Sequence, residues 1–231
     1  ESVAKIEHYP DVRCEALRKA ISRFEQVNME EILCGNGAAE LFFAVVQAVW
    51  PQKALVIAPS FSEYEEALRS VGAEVEYYYL CEEDNFQIRE DYVDKLSEEI
   101  DMIFLCNPNN PTGQTIDRDM LIKILDRCKK QNIVVILDEC FLEFLDEPNR
   151  YEMSDLRGEY PNLLIIKAFT KIFSMPGLRL GYAISSNQDI LEEMSWKLQQ
   201  WNVSVPAQMA GVAALEKPKE YIRQTREYVS G

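Results

Sequence analysis

Three apolar runs in this sequence end in residues that can do chemistry. Met102-Ile-Phe-Leu-Cys106 leads into Asn107-Pro-Asn-Asn-Pro-Thr-Gly113, Val134-Val-Ile-Leu137 into Asp138-Glu139, and Ile165-Ile-Lys-Ala-Phe-Thr170 into Lys171. If each run is a strand of one parallel sheet, an amide, a carboxylate and an amine converge where ligands bind such sheets, outside the carboxyl ends of the strands. An amine held against an apolar strand end loses its proton more easily than one in water, and a neutral lysine attacks an aldehyde to give a Schiff base. Lys171 is the candidate for that role.

The aldehyde that suits such a lysine is pyridoxal phosphate. Its ring withdraws electrons best when its nitrogen stays protonated, a state that a buried carboxylate such as Asp138 enforces. Asn110 is placed to donate to the ring hydroxyl. A phosphate cup is also needed, and Cys34-Gly-Asn-Gly-Ala-Ala-Glu40 runs small residues straight into a helix whose free N–H groups favour an anion. Gly37, Ala38 and Ala39 would cradle the phosphate, and Arg179 in Lys171-Ile-Phe-Ser-Met-Pro-Gly-Leu-Arg179 offers it a planar fork of donors. Singly these features are ordinary: a lysine after a strand is usually solvated, Asp138 suits a cap, and Asn-Pro-Thr-Gly is a turn by composition. Their order along the chain makes the argument. Gly35-Asn-Gly37 lacks the third glycine of a dinucleotide fingerprint, which disfavours a Rossmann oxidoreductase.

Positioning these groups takes alternating strands and helices, and the hydrophobic periodicity predicts them. Leu17, Ala20, Ile21 and Phe24 share one face of a helix over 14–27, followed by a strand at 31–34 and a helix over 38–50 that Pro51 ends. A strand at 54–58, a helix over 62–71 closed by Gly72 and a strand at 74–80 follow. The alternation continues with a strand at 102–106, a helix over 117–130, a strand at 133–137, an irregular stretch to 162, and strands at 163–168 and 180–185. Helices over 189–200 and 206–216 complete it. Continuous apolar strands separated by amphipathic helices call for an α/β fold, a three-layer sandwich with a mostly parallel central sheet.

Four ordered motifs spanning most of the chain resemble the fold-type I pyridoxal-phosphate enzymes of the class I/II aminotransferase family. They are Gly35-Asn-Gly-Ala-Ala-Glu40, Asn107-Pro-Asn-Asn-Pro-Thr-Gly113, Asp138-Glu139, and Thr170-Lys171 with Pro176-Gly-Leu-Arg-Leu-Gly-Tyr182. The resemblance implies that Lys171 is the Schiff-base lysine, Asp138 the pyridinium partner, Asn110 a ring-hydroxyl donor and Arg179 a phosphate ligand. It also implies that Phe61 stacks on the ring, that Thr170 belongs to the cofactor site, and that Tyr9 reaches the phosphate of a neighbouring subunit, so that the protein is a homodimer. Within the family the sequence is most similar to the threonine-phosphate decarboxylase and histidinol-phosphate aminotransferase branches, whose substrates are phosphorylated amino compounds. Phe141, where aminotransferases often carry a ring-bonding tyrosine, Phe61 at the stacking position, and Trp201-Asn-Val203, similar to a Trp-Ser-Val stretch, lean toward the decarboxylase. Ala168 departs from the family's hydroxyl residue three positions before the lysine, which removes one phosphate contact.

Composition bounds the alternatives. The 231 residues are 47% hydrophobic, and 24 basic against 39 acidic side chains give a formal charge of −15, which disfavours a nucleic-acid partner. No apolar run approaches the length of a membrane helix. Six cysteines without a Cys-x-x-Cys pair fit a reducing cytoplasm, and a single histidine, His8, leaves no metal site or Ser-His-Asp triad to expect. Residues 1–13 read as the remnant of an N-terminal arm with a dimer contact, 14–216 as the cofactor-binding large domain, and 217–231 as the start of a link to a small C-terminal domain. A chain that starts at Glu1 and stops just after a helix-like stretch points to a segment of a longer protein. A module that binds cofactor or a partner without catalysis is the second class of function these motifs allow.

Overall fold

A computed structural model describes residues 7–230. Seven strands form one sheet: β1 (Ile32–Gly35), β2 (Lys53–Ala58), β3 (Glu74–Tyr79), β4 (Met102–Cys106), β5 (Val134–Asp138), β6 (Leu163–Ala168) and β7 (Gly181–Ile184). Their spatial order is β1-β7-β6-β5-β4-β2-β3. Pairing is parallel except for β7, which runs antiparallel to both β1 and β6. The helices are α1 (Glu15–Glu25), α2 (Ala38–Val49), α3 (Ser62–Ser70), α4 (Asp91–Asp94), α5 (Arg118–Gln131), α6 (Gln188–Lys197), α7 (Val205–Ala214) and α8 (Pro218–Ser230). None of the described helices is long and apolar enough to cross a membrane.

The sheet is covered on both sides. Because successive side chains of a strand point to opposite faces, Leu163 and Ile165 of β6 join one apolar cluster and Leu164 and Ile166 join the other. The first cluster packs under α1, α5 and α7, with Leu17, Ile21, Ile124 and Ala207 among its members; the second packs under α2, α3 and α6 through Phe42, Val45, Leu68 and Met194. The three-layer α/β architecture with a mostly parallel sheet is therefore as the sequence predicts. Strands 102–106 and 163–168 coincide residue for residue, and most other ends agree within two residues. The stretch 138–162 is irregular, with three single turns of 3-10 helix at Leu142–Phe144, Pro148–Arg150 and Ser154–Leu156.

Two features depart from the sequence reading. The short α4 has no counterpart in it, and Pro218, taken as punctuation, opens the thirteen-residue α8. Proline suits the first turn of a helix because its missing N–H would find no intrahelical partner there. Tyr221 of α8 donates to the Phe173 carbonyl (3.2 Å) and Arg226 to that of Glu143 (2.6 Å), so this helix packs on the turns that follow β5 and β6.

One buried charge cluster lies on the α1 side of the sheet. Lys167 of β6 is 4% exposed, and its ammonium meets Glu25 at 2.8 Å, Glu152 at 3.1 Å and Glu139 at 3.6 Å. Tyr182 donates to the second Glu25 oxygen. Burial works against the Lys167 charge, and the surrounding Glu25, Glu139 and Glu152 carboxylates more than reverse it. Burial also pushes the Glu139 carboxyl up to about 8, against the pull of Lys167. A carboxyl raised in this way holds its proton in the folded state while the unfolded chain, near 4.5, has released it. Folding stability therefore falls as pH rises from about 4.5 to about 8 and levels off above that. Glu139→Gln, which keeps the neutral shape, removes this dependence: melting temperatures across that range should decline less steeply than in the parent.

Candidate active site

The carboxyl ends of β4, β5 and β6 lie side by side, with Cys106 in register with Asp138 and Asp138 with Ile166. Asp138 is the last residue of β5 and points to the α2–α3 side, because Ile136, two residues earlier, belongs to the cluster there. It is 4% exposed. Its Oδ1 accepts the Cys140 N–H at 2.9 Å, and its Oδ2 accepts the Tyr64 O–H at 2.6 Å. Burial pushes the Asp138 carboxyl up, while hydrogen bonds from Cys140 and Tyr64 and the charge of Lys171 pull it back. Its carbonyl is used as well: Asn107 N–H donates to it at 2.8 Å, tying the loop after β4 to the end of β5.

That loop is closed by its own side chains. Asn107 is fully buried and its Oδ1 accepts from Ile116 N–H at 2.9 Å; Asn109 donates to the Pro59 carbonyl at 3.1 Å and to Thr112 Oγ1 at 3.0 Å. The Asn109 bond joins the loop to the turn before α3. Asn110 is half-buried, and the Cys106 thiol before it donates to the Pro108 carbonyl at 3.1 Å. Phe61 caps the start of α3, half-buried, with its ring edge-on to Tyr64 at 5.7 Å.

Lys171 stands three residues after β6, beyond the buried Thr170. Its Nζ lies over the Phe141 ring, 5.5 Å from the centroid, within the range of a cation–π contact. The apolar holding expected for this amine is not there: the Lys171 side chain is exposed, and the lysine buried at the end of β6 is Lys167, on the other face. The strand ends at Ala168, so the chain turns outward before Lys171 is reached.

The anion cup is a backbone construction. Gly37 precedes α2 with φ +85°, a conformation other residues rarely adopt, and no side chain caps the helix N-terminus. A Cβ on Gly37 would stand 2.6 Å from Nη2 of Arg179, so the guanidinium lies directly against the start of α2. Gly181 passes beneath: a Cβ there would come within 2.7 Å of the Ala38 nitrogen and 2.9 Å of the Gly37 carbonyl carbon. Glu40, in the first turn, accepts from Asn36 N–H and from Asn202 Nδ2, each at 2.6 Å. The Arg179 guanidinium and the positive end of α2 thus lie against each other, with the Glu40 carboxylate turned back onto Asn36 and Asn202. Pyridoxal phosphate fits these residues: a buried carboxylate for its nitrogen, an exposed amine for its aldehyde, and a cup of N–H groups and guanidinium for its phosphate.

The structure brings Asp138, Lys171, Asn110 and Phe61 to one end of the sheet, and Gly37, Ala38, Ala39 and Arg179 to the start of α2 beside it. Ala168 pairs with Gly181 across β6 and β7, which joins the two groups. Tyr9 is 81% exposed, its ring 4.8 Å from that of Trp201. Sequence reasoning missed Tyr64, whose signal was its place one helical turn after Phe61.

The family model for class I and II aminotransferases matches residues 2–231. The chain belongs to that family. Aminotransferases of this class depend on pyridoxal phosphate. The chain is 37% identical to a threonine-phosphate decarboxylase of Salmonella typhimurium over 211 residues, covering 91% of this chain and 57% of that protein. It is also 37% identical to a histidinol-phosphate aminotransferase of Desulfitobacterium hafniense over 232 residues, covering 97% and 62%. Among solved structures, a histidinol-phosphate aminotransferase from Clostridium acetobutylicum superposes with a TM-score of 0.89 at 33% identity, covering 98% of this chain and 66% of that one. The chain thus spans less than two thirds of the length of the curated relatives it matches.

The cup depends on backbone approach, so Gly181→Ala must move the start of α2. A loss of about 1–3 kcal/mol is expected, read as a lower melting temperature. Gly158→Ala, where an added Cβ meets nothing within 4 Å, should leave melting unchanged.

Proposed function

We propose that the protein carrying this chain is a pyridoxal-phosphate-dependent enzyme acting on a phosphorylated amino acid or amine, most like a threonine-phosphate decarboxylase. The observation that carries the reading is the pairing of a buried Asp138, within reach of the Lys171 charge, with Arg179 laid against the open start of α2. When bound, the cofactor supplies a ring that accepts the electron pair released at the substrate carbon. Asp138 would hold a proton at the ring nitrogen, Asn110 would donate to the ring hydroxyl, and Phe61 would cover a ring face. Gly37, Ala38, Ala39 and Arg179 would hold the phosphate, with Thr170 also in the cofactor site. Lys171 would be the amine that holds the cofactor's aldehyde, and the same side chain, exposed and free to move, would serve as the acid or base for a proton at the substrate carbon.

Two observations support the decarboxylase branch. Phe141 presents a ring face to the Lys171 ammonium and has no hydroxyl to hold a ring oxygen. Asn202 of the Trp201-Asn-Val203 stretch is tied through Glu40 to the start of the cup. The close superposition on a histidinol-phosphate aminotransferase favours transamination as the second reading. Tyr9, exposed and packed on Trp201, supports a homodimer in which it reaches the neighbour's phosphate, and the free cysteines support a cytoplasmic setting.

Borohydride reduction of the full-length protein loaded with pyridoxal phosphate, followed by peptide mass spectrometry, should find a pyridoxyl group on the Lys171 peptide. An adduct elsewhere, or none, overturns the assignment. Lys171→Ala should lose turnover by several orders of magnitude while keeping its circular dichroism spectrum. Carbon dioxide released from threonine phosphate marks the decarboxylase; amino transfer from histidinol phosphate to a 2-oxo acid marks the aminotransferase.

A further inference from the structure

Among the described residues of its own loop, Cys140 alone bonds the Asp138 side chain, its N–H donating to Oδ1 at 2.9 Å. The other oxygen is bonded by a residue 74 positions earlier, Tyr64 in the first turn of α3. That tyrosine is 1% exposed and its ring is fixed on three sides. Phe104 stacks on it at 4.9 Å, Phe42 meets it edge-on at 5.0 Å, and Phe61 edge-on at 5.7 Å. Packing of this kind holds the phenol oxygen in place beside its acceptor.

We propose that Tyr64 is a positioning residue for the cofactor's ring nitrogen, its hydroxyl holding the Asp138 carboxylate in the single orientation that pairs with the ring. The proposal rests on the reading of Asp138 as the ring-nitrogen partner. A carboxylate has about four lone-pair sites, and the bonds from Cys140 and Tyr64 take one on each oxygen, leaving acceptor capacity for a pyridinium N–H. The charged and titratable groups that face Asp138 are Tyr64 from α3, Cys106 from β4, Cys140 from its own loop and Lys171 from beyond β6. Burial pushes the Tyr64 phenol and both thiols well up, so all three stay neutral at ordinary pH and none competes as an anion. Burial raises the Asp138 carboxyl overall, and the Tyr64 hydrogen bond works against that rise in favour of the charged form. Phe61 and Tyr64 stand three residues apart on the same helix start, so one element sets both the stacking face and the orientation of the nitrogen's partner.

Tyr64→Phe removes the oxygen and keeps the ring. In cofactor-free full-length protein labelled with 13C at the aspartate carboxyl carbon, with Asp138→Asn to assign the signal, Asp138 should titrate at a pH about one unit higher in the variant. Pyridoxal phosphate should bind about tenfold more weakly to Tyr64→Phe than to the parent, with no further loss when the same change is made in Asp138→Asn. An unmoved titration, or an equal loss of affinity in both backgrounds, makes the hydroxyl a packing feature only and overturns the proposal. If Tyr64→Phe does not fold, 3-fluorotyrosine at position 64, a stronger donor of nearly the same shape, should move the Asp138 titration to lower pH; no movement overturns the proposal. Failure of the underlying reading shows differently: Asp138→Asn would then bind the cofactor as tightly as the parent, whatever the titration does in Tyr64→Phe.

Discussion

Taking the Asp138 carboxylate out of water costs several kcal/mol unless hydrogen bonds replace those that water made. One replacement comes from the turn that follows β5, and it needs no distant part of the fold. The other needs α3 to lie across the end of β5 so that Tyr64 can reach, and α3 is held there by aromatic packing of Tyr64 on Phe42 and Phe104. The backbone carbonyl of the same aspartate takes the Asn107 N–H, which pulls the loop after β4 against it. Asn109 of that loop then bonds the Pro59 carbonyl, two residues before Phe61. The hydrogen bonds that keep one carboxylate buried thus fix the three segments that carry Asn110, Phe61 and Asp138.

The two faces of the sheet handle buried charge in different ways. On the α2–α3 side a single acid is held by neutral donors, and its charge remains available to a ligand. On the α1 side, Lys167 is surrounded by Glu25, Glu139 and Glu152, and one of the three, Glu139, is pushed toward its neutral form. Strand geometry makes the division sharp, because Asp138 and Glu139 are neighbours in sequence and point to opposite sides. The Asp138-Glu139 pair that reads as one motif is two structural units: one faces the candidate site, and the other meets Lys167 of β6 and the Met153 N–H of the loop that holds Glu152.

Much of this was legible from local pattern. Apolar runs bounded by turn residues identified the strands, and the polar residues after β4 and β5 identified the end of the sheet where chemistry collects. The small residues of Gly35-Asn-Gly37 identified the backbone cup, since only glycine accepts the φ of Gly37 and the close pass of Gly181. What periodicity reports is the face a residue takes, not its partner. Lys167 sits inside an apolar run and passes for a strand residue, because its partner Glu25 is 142 positions away. Tyr64 looks like any apolar position of an amphipathic helix until its hydroxyl is seen to meet Asp138. The exposure of Lys171 was misjudged because it depends on where the chain leaves β6, and strand ends are the least determined feature of a hydrophobic pattern.

The resulting division between buried and exposed groups has its own logic. Asp138 has to stay charged and stay still, and it is closed in by Tyr64, Cys140 and the apolar cluster behind them. Lys171 and Arg179 are both exposed, on turns outside the sheet. In the proposed chemistry the lysine must give up its partner to an incoming amine and then move protons, which a fully packed side chain could not do. Arg179 must meet a phosphate that arrives from solvent, and its location is fixed by its backbone: it adopts φ 54° after the Pro176–Leu178 turn, and Gly181 two residues later passes under α2. Rigidity is therefore concentrated at the nitrogen end of the site and freedom at the amine, with the Ala168–Gly181 pair as the strand contact between them.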